Sequence, residues 1–247
     1  TNQHLDLHAL VEKTAGRCLA HPTIWHGLFA AKAAVMVSGN AMAHVYLRGP
    51  ERWGDELFLD EPYPQMERLV QALLGEDAID QVVGRSKQGG VLILSQKGKA
   101  LVRQVINGVE YSPESSDPFG YPPKVSGIHK DRELLKLTFD SEYPDAPRQL
   151  LQIFESPRCG DLVVTAKPGF DLRARFEKPK HVGSHGSLHR LHMAVPFLTN
   201  HALVDDPKRT VDLYPTVLSA LGLPWTNEVD GISLWGITKS SLVVLLA

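Results

Sequence analysis

Four of the chain's eleven histidines fall within thirteen residues, His181-Val-Gly-Ser-His185-Gly-Ser-Leu-His189-Arg-Leu-His192-Met193. Zinc takes neutral imidazoles and carboxylates that converge at about 2.0 to 2.2 Å. His181, His185 and His189 are spaced by four, which on a helix would put them on one face. Gly183, Ser184 and Gly186 oppose a helix there. In a loop such spacing says little, so each histidine is judged by its own setting. Gly186, next to His185, lets backbone approach an ion or a substrate closely. Two readings stay open: metal ligation, or a solvated loop whose imidazoles bond to nearby backbone.

Other residues invite chemistry with less support. Ser184 and Ser187 suggest a nucleophile, but there is no Gly-x-Ser-x-Gly elbow, and a Ser-His-Asp triad is not legible from sequence proximity. Ser38-Gly39-Asn40 offers backbone donors to an oxyanion, although a tight turn explains it equally well. Walker loops, His-Glu-x-x-His helices and EF-hands are absent from the sequence. Cys18 and Cys159 make neither a disulfide framework nor a cysteine zinc site, and two cysteines suit a reducing, cytoplasmic compartment.

These residues need elements to hold them. Leu5, Leu7, Leu10 and Val11 predict a short helix stopped near Gly16. Ala33–Val37 and Met42–Leu47 are apolar runs on either side of a Gly-Asn pair, predicting strand, turn, strand. Met66, Leu69, Val70, Leu73 and Leu74 mark one face of a helix that Gly75 caps. Short apolar runs alternate with Gly, Lys and Gln from Ile79 to Tyr111, predicting a β-rich module. The prolines after Asp117 predict a Ser112–Lys124 loop without regular structure.

Asp145-Ala-Pro-Arg opens another helix, and Asp161–Ala166 reads as a strand. The histidine loop follows, then a further strand at Ala194–Leu198. A helix capped by Asp212 and ended by Gly222 should bury Leu213, Val217, Leu218 and Leu221. Together these elements predict an α/β fold with residues 1–78 and 146–247 as core and 79–145 as a β-rich insertion or subdomain.

The 247 residues suffice for a sizeable core, and 43% hydrophobic with 22% charged residues is ordinary for a globular protein. A formal charge of −2 gives no electrostatic case for nucleic acid or an anionic membrane. Basic residues cluster mildly only from Arg173 to Lys180, and Ser241–Ala247 is too short to span a bilayer. The chain starts on Thr1 with an amphipathic pattern already under way, which reads as part of a longer protein; removal of an initiator Met is the alternative.

The C-terminal third carries an ordered series: Gly160-Asp-Leu-Val-Val, Ser184-His-Gly-Ser, Met193-Ala-Val-Pro-Phe-Leu, Arg209 through Pro224, and Asp230-Gly-Ile-Ser-Leu. Over about 75 residues it resembles the end of an alkaline phosphatase superfamily member, in the branch of type I phosphodiesterases and nucleotide pyrophosphatases. Ser38-Gly-Asn-Ala-Met-Ala-His-Val-Tyr46 resembles the same branch. Sulfatases are a related branch, but neither cysteine sits in a Cys-x-Pro-x-Arg setting.

The resemblance implies a layered α/β/α sandwich, two divalent metals (zinc, with manganese as the alternative) and a Thr or Ser nucleophile acting on a small phosphate ester. Two cations in such a site stabilise the attacking and leaving oxygens. The family's late His-Gly ligand maps onto His185. The sequence has no Asp-His-Gly, and order places that motif, like the nucleophile, upstream of Thr1. His4 is then a candidate remnant contact near the site. No catalytic residue is expected within this chain, and the portion by itself is expected to be silent. A non-catalytic ligand- or partner-binding protein on the same fold is the alternative.

Overall fold

The computed structural model describes residues 3–20, 30–173, 183–203, 208–226 and 228–235. The chain divides into two compact units, Thr1–Ala194 and Val195–Ala247. In the first, a short strand β1 (Gln3–His4) precedes helix α1 (Leu7–Ala15). The Asp6 carboxylate caps α1, accepting from the Ala9 N–H at 2.9 Å, and Gly16 ends it. Strands β2 (Cys18–Ala20), β3 (Ala33–Ser38) and β4 (Met42–Leu47) follow, then helix α2 (Pro64–Leu74). Met66, Leu69, Val70 and Leu73 of α2 are buried, and Gly75 caps it, as their spacing predicts.

The β-rich stretch supplies β5 (Ile79–Arg85), β6 (Val91–Leu94), β7 (Lys99–Val105), β8 (Gly108–Glu114) and β9 (Gly127–His129). Helices α3 (Asp131–Thr138) and α4 (Ala146–Glu155), strands β10 (Leu162–Ala166) and β11 (Phe170–Asp171) and a single helical turn, α5 (Arg190–Met193), complete the unit. Among the described residues nine strands form one sheet, ordered β2-β3-β4-β10-β5-β6-β7-β8-β9. All its neighbours are antiparallel except the parallel β2–β3 pair. The stretch 79–145 therefore extends the same sheet. The protein is of mixed α/β class.

Strand β10 sits near the middle of this sheet, and all five of its residues are buried. Leu162, Val164 and Ala166 join the apolar cluster packed by α1 and α2, while Val163 joins the cluster packed by α3 and α4. Alternate side chains of one strand thus serve opposite faces, as the two-residue period of a strand requires. Being covered on both faces explains the unbroken apolar run Leu-Val-Val.

The prediction of an irregular Ser112–Lys124 is corrected at both ends. Strand β8 continues through Pro113, which lies opposite Ala100 of β7, and Pro123–Val125 forms a 3-10 turn. Beyond Tyr111 the other side of β8 has no pairing to β9, so Pro113 lies where its missing N–H breaks no ladder there. Ala194–Leu198 is not a strand: α5 precedes it, Pro196 has no N–H to offer a ladder, and Val195, Phe197 and Leu198 stand exposed.

In the second unit, helix α6 (Leu213–Ala220) forms where expected and Gly222 ends it at φ +67°. Its buried face is not the predicted one. Leu213, Val217 and Leu221 are exposed, whereas Asp212, Pro215 and Thr216 are buried. Polar ties set this orientation: Asp212 accepts from the Ile232 N–H at 3.0 Å, and the Thr216 hydroxyl accepts from the Leu234 N–H at 2.9 Å. The basic cluster beyond Arg173 and the segment Ser241–Ala247 lie outside the described residues. Among the described residues no helix is long and apolar enough to cross a membrane.

The central place of β10 has a direct consequence. Leu162→Ala, at a fully buried position, should destabilise the protein by roughly 2–5 kcal/mol. A urea midpoint lowered without a change of slope would show it; a midpoint within error of the native value would contradict it.

Candidate functional site

The β3–β4 connection passes through Gly39 and Asn40, both in the left-handed region at φ +67° and +66°. Glycine and asparagine tolerate that conformation best. The histidine loop docks on this turn as one parallel bridge, Asn40 opposite His185. The His185 N–H donates to the Gly39 carbonyl at 2.9 Å, and the Ala41 N–H donates to the His185 carbonyl at 3.0 Å. The turn's Ala41 donor is therefore engaged by the loop, which leaves less of the turn for an oxyanion. The His185 side chain remains exposed.

A second group of contacts holds the loop a few residues on. Ser187 is buried, and its hydroxyl lies 2.7 Å from His192 Nδ1. The Ser187 N–H also donates to that nitrogen at 3.4 Å, so Nδ1 is the acceptor and the neutral ring carries its proton on Nε2. The same hydroxyl accepts from the His189 N–H at 3.3 Å. Ser187 thus builds a local turn, and its burial removes it as a nucleophile open to a substrate.

The His189 ring meets Tyr143 edge-on, with centroids 5.4 Å apart, and the Arg190 N–H donates to the Glu142 carbonyl at 2.7 Å. Tyr143 in turn donates to the Asp80 carboxylate of β5, 2.9 Å from the nearer oxygen, while its own carbonyl accepts from the Tyr121 hydroxyl. Burial raises Asp80 above the usual carboxylate range, and the Tyr143 and Gln81 hydrogen bonds oppose that rise. The loop is anchored through Tyr143 to a strand of the central sheet.

His4 enters the same neighbourhood through the backbone. Strand β1 pairs with β11, His4 opposite Asp171, and the next residue, Leu172, donates its N–H to the Asn40 carbonyl at 2.8 Å. The His4 Nδ1–H reaches the Arg173 carbonyl at 3.3 Å. That bond leaves Nε2 as the acceptor nitrogen, the arrangement usual in metal-ligating histidines. His4 and His185 are therefore both tied to the Asn40 turn, one through β11 and one directly.

Among the described residues no group of three or more His, Cys, Asp or Glu side chains is placed to hold a metal ion. Zinc needs three or four such donors. The described residues do not form a metal site by themselves. Cys159 is buried, and burial pushes its thiol up to about 11. His44 beside it accepts from the Gly160 N–H at 3.1 Å, and burial lowers its basicity. His181 lies outside the described residues. His189 and His192 serve the loop's own fold.

Tyr143 and Asp80 were not singled out in the sequence, and each left a signal there. Asp80-Gln81 interrupts an apolar strand, which asks for buried partners. Tyr143, between Glu142 and Pro144, belongs to no apolar period.

The half-buried, neutral His192 makes loop docking sensitive to acid. Its folded-state pKa is lowered, first by burial and then by His189 and His185. Stability from a neutral ring is complete above the unfolded value of about 6.5 and is lost as pH falls through the depressed folded value. Exchange protection of the Ser187 and His189 amides, corrected for intrinsic rates, should fall as the pH drops below about 6.5. His192→Asn, which keeps an acceptor without titrating, should flatten that dependence; an unchanged dependence would contradict it.

No protein-family model, no curated protein and no solved structure matches the chain.

Proposed function

We propose that the chain is the C-terminal portion of a metal-dependent phosphodiesterase- or phosphatase-type hydrolase of the alkaline phosphatase superfamily, with His185 as one metal ligand. One observation carries this. The two sequence stretches that resemble the same branch, Ser38–Tyr46 and Ser184–Ser187, are 138 residues apart (184 − 46) and meet in space through the Asn40–His185 bridge. The bridge brings the two stretches that carry the resemblance together at His185.

Supporting features surround that bridge. Helices pack on both faces of the sheet, which suits the layered sandwich of that superfamily. His185 is exposed, on a loop held at two places, and His4 enters the same neighbourhood with its Nε2 free of the Arg173 contact. In this proposal His185 is one ligand of a larger set, and the other ligands and the nucleophile are not assigned among the described residues. Two bound ions would stabilise the attacking and leaving oxygens of the phosphoryl group. The chain's own contribution is to fix the direction of one imidazole. The substrate in this proposal is a small phosphate ester rather than nucleic acid, in a cytoplasmic setting.

The test uses the full-length protein. Elemental analysis should find zinc or manganese in stoichiometric amount, with hydrolysis of an aryl phosphodiester or monoester. His185→Ala should weaken metal affinity by more than about 100-fold, beyond the 10–100-fold typical of outer-shell partners. His4→Ala should cost about tenfold or less, as an outer contact would. Full metal content and activity in His185→Ala would overturn the assignment. A full-length chain that takes up no metal would leave the non-catalytic binding protein as the better description.

A further inference from the structure

Helix α6 carries its apolar residues on the outside. Leu213, Val217 and Leu221, the last just past the helix end, are spaced by four. With Tyr214 they fall within about 100° of arc, which makes one continuous stripe. All four are exposed, Tyr214 at 59% and Leu221 at 66%, and the stripe contains no charge. Among the described residues from Val195 on, Leu234 is the one buried apolar side chain. The helix cannot simply roll over, because Asp212 and Thr216 on its other side are bonded to the backbone of Ile232 and Leu234. Polar ties hold α6, and its apolar stripe is left for something else to cover; contiguous exposed apolar surface of this kind marks a contact surface.

The same unit contains a second group that needs cover. Leu242-Val-Val-Leu-Leu246 is five large aliphatic residues in succession, and Ser241–Ala247 carries no charge. The run is too short to span a bilayer and has no polar side to turn to water. The chain comes to α6 just before it: the Leu234 N–H bonds to the Thr216 hydroxyl at 2.9 Å, and Trp235 is held by its bridge to Leu203. From Trp235 to Ser241 there are six Cα steps (241 − 235). At 3.3–3.6 Å each they reach about 20 Å. A helix with its side chains is about 10–12 Å across. The chain is long enough to pass from the Thr216 side of α6 to the stripe.

We propose that Leu242–Leu246 packs on the Leu213–Val217–Leu221 stripe of α6, each covering the apolar surface of the other. The surfaces match in kind, aliphatic on aliphatic with no charge to desolvate on either side. A tether this short keeps the run near the stripe at an effective concentration in the millimolar range. A second copy of the chain, free in dilute solution, does not compete with that. The packing gives Val195–Ala247 the apolar core that its polar ties do not supply. It is independent of any role for His185.

The experiment uses the 247-residue chain with labelled Leu and Val methyl groups. Nuclear Overhauser contacts are expected between the Val217 or Leu221 methyls and those of Leu242–Leu246, and light scattering should give the mass of one chain. Leu245→Asp should abolish the contacts of the rest of the run with the stripe. Leu221→Asp, at an exposed position, should abolish those with Val217. Amide shifts of β10 should stay native in both variants, which separates lost packing from lost folding. Stripe methyls without contacts to Leu242–Leu246 in the native chain would overturn the proposal, and so would contacts that survive Leu245→Asp. Contacts that run between different chains in a mixed-label sample would give the stripe to a second copy instead. Should either aspartate variant fail to fold, the native chain decides, by the presence or absence of those contacts.

Discussion

Two backbones meet at the Gly39–Asn40 turn, and glycines on both segments make the approach close enough for a pair of hydrogen bonds. A backbone bridge of this kind fixes position more firmly than side-chain contacts do, because it leaves few torsions to vary. His185 is thereby an exposed side chain on an immobilised main chain, which is what a ligand or binding residue on a loop requires. The bridge also explains why only this histidine of the described loop points to external chemistry. His192 is spent on Ser187, and His189 on Tyr143 and the α5 turn.

The turn is itself held by the sheet. Strand β4 pairs with β10 along its length, and the Ala166 N–H, at the end of β10, reaches back to the Ala41 carbonyl at 2.9 Å. The other face of β10 shares its core with α4 and the aromatic group Phe119, Tyr121 and Tyr143. Tyr143 then returns to the histidine loop. The loop is clasped from two sides by elements that both depend on β10: the turn through one core cluster and Tyr143 through the other. Burial on both faces makes that strand costly to perturb.

Much of this was legible in the sequence, for identifiable reasons. Helix α2 and the β3–β4 hairpin followed from apolar spacing and a Gly-Asn turn, which are local signals. The Asn40–His185 bridge was not legible, because a single-residue parallel contact between segments so far apart leaves no period. Gly39 was noticed for its donors, whereas the close approach of the His185 ring and carbonyl to it shows only in the structure. The face of α6 was misjudged because apolar spacing assumes that the apolar stripe packs; Asp212 and Thr216, bonded to the backbone of residues 232–234, turned the polar side inward instead. Pro113 in β8 misled for a related reason, since proline excludes a strand only where the neighbour on its N–H side needs that donor.

The placement of His185 against the Asn40 turn makes it a candidate ligand whose backbone is bonded on both sides, and diffraction tests that most directly. Crystals of the full-length protein grown with zinc, with data collected on both sides of the zinc absorption edge, would locate the ions without reference to activity. The expected result is an anomalous peak bonded to a His185 ring nitrogen at about 2.0 to 2.1 Å, with the Asn40–His185 bridge intact. Zinc peaks away from His185, or a His185 loop detached from the Gly39–Asn40 turn, would contradict it.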